Sequence, residues 1–95
     1  MYSVVRQYQH VLKHDEFIQH VEDEFLPDVR QIPGFVAFHL IDVGDEGGKM
    51  VAIAYFESEE AAAVGNEHTL EWVRANMGLF QAASAVDQGP VVVSS

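Results

Sequence analysis

The chain has no cysteine, one tryptophan and only five basic residues in 95. Without thiols, disulfide staples, thiolate zinc sites and cysteine nucleophiles are all excluded. The scarcity of lysine and arginine leaves fifteen acidic residues largely unbalanced, for a net charge of −10, and Arg6, Lys13, Arg30, Lys49 and Arg74 are scattered rather than clustered. Nucleic acid is not an expected partner, because its binding rests on neutralising phosphates. The same field favours a neutral, apolar ligand over a polyanion. No run approaches the ~20 apolar residues of a membrane span, and the opening Met1-Tyr2-Ser3-Val4-Val5-Arg6 lacks a leader pattern. A cytoplasmic protein with no membrane partner is the expectation.

What is present is apolar material, 48% of the chain, with no low-complexity tract, which suits one domain over residues 1–95. Residues 2 to 9 interleave β-branched, aromatic and polar side chains and predict a first strand, its core set being Val4 or Val5 with Tyr8. From Asp15, read as an N-cap, Phe17, Ile18, Val21, Phe25 and Val29 recur at helical steps against an acidic face, and Pro27 is expected to kink or end this helix after Leu26. Ile32-Pro33-Gly34-Phe35 predicts a turn into a second strand over 35 to 43. A glycine-rich hairpin at 44 to 48 leads to a third over 49 to 57. Ser58 caps a second helix with Glu59 and Glu60 in its first turn; an interruption is expected at Gly65-Asn66, and Leu70, Val73, Met77 and Phe80 form the inward stripe beyond it. A last extended segment spans 82 to 93, broken at Gly89-Pro90.

The order strand, helix, strand, strand, helix, strand is the split βαβ arrangement, an α+β fold in which two helices cover one face of a four-stranded antiparallel sheet. Both faces of the middle strands are apolar. Phe35, Ala37, His39, Ile41 and Val43 alternate with Val36, Phe38, Leu40 and Asp42, and Met50, Ala52, Ala54 and Phe56 alternate with Val51, Ile53 and Tyr55. A solvated sheet face should carry polar residues. The face without helices therefore needs a second sheet, and a homodimer supplies it most simply.

At these residues the chain resembles the antibiotic-biosynthesis-monooxygenase-like members of the dimeric α+β barrel superfamily. The resemblance rests on Ile32-Pro33-Gly34-Phe35 after an acidic first helix, on Tyr55-Phe56-Glu57-Ser58-Glu59-Glu60-Ala61 leading into the second, and on the closing Gly89-Pro90-Val91-Val92-Val93. It implies a ferredoxin-like dimeric barrel. The family includes cofactor-free monooxygenases of anthrones and quinols, haem-degrading enzymes and proteins without assigned activity. The haem-degrading pattern of a strand asparagine with a helical tryptophan and histidine is not met, since Gln7 stands on the strand and His68 precedes Trp72.

Cofactor-free oxygenation requires a base, donors for a developing oxyanion and a dry cavity. Asn66, His68 and Trp72 lie within seven residues, with His68 and Trp72 one helical turn apart, and are the catalytic candidates. Their structural alternatives are a cap at Asn66, a solvated His68 and a packed Trp72. His39, Tyr55, Gln7 and Arg6 are the substrate-binding candidates, with strand parity to decide which of them face a cavity. His10, His14 and His20 have no ligand spacing with a carboxylate, so no metal is expected, and no haem or flavin cofactor either. Two functions remain: a monooxygenase acting on an aromatic, quinol or polyketide-like substrate, or a non-catalytic dimeric protein that binds such a ligand.

Overall fold

A computed structural model of the chain describes residues 1–11, 13–44, 48–78 and 83–95. Its elements are β1 (Tyr2–Tyr8), α1 (His14–His20), a π-helical turn (Val21–Phe25), α2 (Leu26–Val29), β2 (Phe35–Asp42), β3 (Met50–Phe56), α3 (Glu59–Ala75) and β4 (Ala85–Pro90). The strands form one antiparallel sheet in the order β2-β3-β1-β4, the expected ferredoxin-like arrangement. All helical segments lie on one face. Between them and the sheet sit Val4, Tyr8, Phe17, Val21, Phe25, Val29, Met50 and Phe56, all buried. Burial of a side chain the size of Phe17 or Phe56 contributes about 1.5–3 kcal/mol.

The first helical body runs through Pro27 to Val29 instead of ending after Leu26. Proline cannot donate to the turn before it, and its ring crowds that turn's carbonyl. Here the preceding turn is widened to π geometry, with the Leu26 N–H donating to the Val21 carbonyl five residues back, and the chain accommodates the ring without stopping. The same widening keeps Phe17, Val21, Phe25 and Val29 all buried. In a pure α-helix, residues four apart drift by about 40° per step. The helix also starts at His14, one residue before Asp15, with no side-chain cap.

α3 departs further from expectation. It is continuous across Gly65-Asn66. Ser58 caps it as expected, its Oγ accepting from the Ala61 N–H at 3.1 Å. Gly65 is buried against the Phe56 ring, and a Cβ there would collide with Phe56 Cζ. The inward face is therefore Ala61, Ala62, Gly65, Thr69 and Val73, small residues that let the helix lie close to the sheet. Of the stripe expected to point inward, Leu70 is 47% and Met77 51% exposed, and Phe80 lies outside the described residues. Gly34, at φ 91°, makes the turn into β2, where any Cβ would come within 2.8 Å of Ala61 Cβ.

Strand parity follows from the register. A bulge between Phe35 and Ala37 puts Phe35 with Phe38 and Leu40 on the helix side, while Ala37, His39 and Ile41 pair with Tyr55, Ile53 and Val51 on the open side. The last strand is Ala85–Pro90, shorter than expected and unbroken at Gly89; residues 45–47 and 82, expected in the hairpin and at this strand's start, lie outside the described residues.

Candidate functional site

Beneath α3, between the helices and the sheet, lies a partly open cavity of about 30 Å³. Phe17, Phe25, Phe38, Phe56 and Trp72 contribute rings to its wall. Trp72 lies 5.8 Å from Phe17 and 5.5 Å from Phe25, centroid to centroid, in tilted contacts typical of favourable aromatic pairs. Trp72 is thus part of the inner face of α3. Its position follows from the rotation that the small residues impose, which turns inward a side of α3 beyond the expected stripe of Leu70, Val73, Met77 and Phe80.

The polar end of the cavity is built from three elements. Arg6 projects from β1 on the same side as Val4 and Tyr8, and its Nη2 donates to Asn66 Oδ1 on α3 at 2.8 Å. Asn66 Nδ2 in turn donates to Gln88 Oε1 on β4 at 3.0 Å. The β1–β4 register brings Gln88 into position by pairing it with Val4. Asn66 is therefore a bridge between strands, and not a helix cap. Tyr8 also lines the cavity; burial pushes its phenol pKa up, and the nearby Arg6 charge partly opposes that shift.

His68 occupies the other flank of α3. Its Nδ1 lies 2.6 Å from Asp28 Oδ2, joining α3 to α2, and it is not among the residues of the cavity wall. Two residues along an α-helix turn a side chain by about 200°, so Asn66 and His68 cannot serve the same spot. Of the three catalytic candidates, the cavity brings together Asn66 and Trp72.

The binding candidates divide by parity. Arg6 faces the cavity. Gln7, His39 and Tyr55 are on the open face, across the sheet from it, where His39 and Tyr55 meet edge to face at 6.3 Å. Gln88, Tyr8 and Thr69 belong to the site and were not among the candidates. Thr69 follows from its place on the inner helix face, whereas Gln88 is recognisable only once the β1–β4 register is known. Among the described residues, no three His, Asp or Glu side chains gather as a metal set, and no helix is long and apolar enough to cross a membrane.

The sequence matches no described protein family and no curated protein. Solved structures share its fold. SnoaB from Streptomyces nogalater, a cofactor-independent oxygenase, is 19% identical, with 98% of this chain and 94% of that one covered at a TM-score of 0.78. The ActVA-Orf6 monooxygenase of Streptomyces coelicolor, solved with nanaomycin D, is 18% identical over 98% and 92% of the two chains, with a TM-score of 0.69. A dimeric ferredoxin-like protein from an uncultured marine organism is 13% identical over 99% and 97%, with a TM-score of 0.76. At these identities the likeness establishes the fold, which monooxygenases of the antibiotic-biosynthesis type share.

Proposed function

We propose that the chain is a cofactor-independent monooxygenase, working as a homodimer, that takes an electron-rich aromatic, quinol or polyketide-like substrate into the cavity under α3. The observation that carries this reading is an aromatic-walled cavity whose polar end is the Arg6–Asn66 pair. An anthrone-type substrate supplies its own electrons once ionised; it enters as the anion, its first proton having passed to solvent, since none of the described residues of the cavity wall is an imidazole or a carboxylate. Its ring methylene becomes a carbonyl, O₂ provides that oxygen atom, and the second oxygen leaves as water with the two hydrogens. What the protein contributes is a dry site and donors for the charged substrate oxygen. Arg6 and Asn66 are those donors, and Trp72 provides a flat wall for the ring. His68 acts through Asp28 as a tie between helices.

The present cavity has room for about one or two waters. A ring enters only if the wall shifts outward, and the π turn carrying Val21 and Phe25 is the segment suited to move. The fold shared with SnoaB and ActVA-Orf6 supports the reaction class, and the dimeric ferredoxin-like neighbour supports pairing of two copies; the apolar open sheet face is the surface suited to it.

Oxygen uptake by the purified protein with a panel of anthrones and hydroquinones tests the reading. Uptake with quinone formation is expected, falling about 10²- to 10³-fold in Asn66→Ala, with a much smaller change in His68→Ala. No uptake with any member of the panel sinks it. Binding of the same rings without uptake selects the second reading, a non-catalytic binding protein, which the small cavity favours.

A further inference from the structure

The charge of Arg6 is not accounted for by the protein. Fifteen acidic side chains are available, yet among the described residues no carboxylate lies within ion-pair distance of this guanidinium. Asp87 is near in the strand register but pairs with Val5, and strand alternation places it on the opposite face of the sheet. The fixed partner of Arg6 is the neutral carbonyl oxygen of Asn66. A half-buried cation in the wall of a cavity lined by six aromatic residues loses hydration without gaining a counter-ion, an arrangement that is unfavourable in the empty protein.

We infer that the cavity binds a planar aromatic ligand as its oxyanion, a ring carboxylate or an ionised phenol, with Arg6 as the counter-ion and Asn66 both holding Arg6 in place and donating to the same oxyanion. The inference rests on the cavity being the ligand site but not on turnover. It also reverses what net charge alone implies. At −10 the chain as a whole repels anions, whereas among the described residues of the cavity wall the one charged side chain, Arg6, is positive and weakly screened. Arginine's fork suits either source, because a carboxylate can accept two parallel N–H bonds and a phenolate one short, charge-assisted bond.

Calorimetric titration of the full-length protein with paired probes tests this. A naphthoate is compared with the corresponding naphthamide, and an acidic dinitronaphthol, ionised at neutral pH, with its methyl ether. At least one ionised ring should bind about ten- to a hundredfold tighter than its neutral twin, and the pair showing the preference identifies the source of the oxyanion. Arg6→Gln should remove the preference and Arg6→Lys keep part of it. Asn66→Ala should weaken the anion more than the neutral twin, a discrimination that a merely structural role would not produce. Equal binding within both pairs overturns the inference, as does an undiminished preference in Arg6→Gln or failure of all four probes to bind. If Arg6→Gln does not fold, the wild-type comparison and Arg6→Lys still decide. Anion preference without oxygen uptake leaves this inference standing while the oxygenase reading falls, and uptake without preference does the reverse.

Discussion

The sheet has two apolar faces that meet different surroundings. On the covered face, Val4, Tyr8, Met50 and Phe56 are buried by helices of the same chain. On the open face, Val5, Ala37, Val51, Ile53 and Tyr55 are only partly shielded by one another, and Ile41 remains 46% exposed. Composition alone does not distinguish the faces. The difference lies in which partner excludes water: on one side the chain itself, on the other, in our reading, a second copy.

Adjacent residues on β3 test that contrast most strongly. Phe56→Ala on the covered face should lower the unfolding free energy by about 3–5 kcal/mol, read by chemical denaturation. Tyr55→Ala next door should weaken dimerisation while leaving secondary structure intact. If Tyr55→Ala unfolds the chain as severely as Phe56→Ala, the two faces do not differ as described. A charge placed at the centre of the open face, Ile53→Glu, should shift the mass seen by light scattering from about twice 10.6 kDa to 10.6 kDa, because the dimer would have to bury an unpaired carboxylate. An unchanged mass would remove the open face from the interface.

Gly65→Ala probes how closely α3 approaches the covered face. In an exposed helix the change would stabilise by about 1 kcal/mol. Against Phe56 it should instead destabilise by about 1–3 kcal/mol, and a gain in thermal stability would show that the helix can move away without penalty. The smallest expected effect is at the sheet edge. The His14 hydrogen bond, aided by the Gly44 N–H, lowers the Asp42 pKa. A carboxyl lowered on folding contributes stability that is present above its unfolded pKa, about 4, and is lost as pH falls through the folded value. Asp42→Asn should therefore lower stability slightly near neutrality, where the carboxylate contributes, and flatten the acid limb, so that the variant and the wild type converge at low pH.

Element order, sheet class and the two-faced apolar pattern were legible in the sequence because β-branched alternation and helical spacing report directly on which side chains are buried. The orientation of α3 was not. Large apolar residues at 70, 73, 77 and 80 outweigh Ala61, Ala62, Gly65 and Thr69 in any hydrophobicity pattern, yet the small set determines how near the helix can lie to Phe56 and so which side faces inward. Trp72 and Asn66 remained candidates for the site while His68 was separated from them by that rotation. Arg6 and Gln7 could not be told apart until β1 was paired with its neighbours.

The π turn at Val21–Phe25 can also be considered in terms of chain length. A wider turn spends one more residue than an α-helix needs to cover the same rise, so it is structurally equivalent to a single-residue insertion retained inside the helix. A chain shortened by one residue among Glu22, Asp23 and Glu24 would have to form a continuous α-helix there. It would then either rotate Phe25 and Val29 away from the positions that Phe17 and Val21 define, or shift everything after Pro27 by one place. The cavity wall and the entry to β2 therefore depend on a residue count as well as on residue identity, and a relative lacking that residue would have to differ at Phe25 to keep the cavity closed.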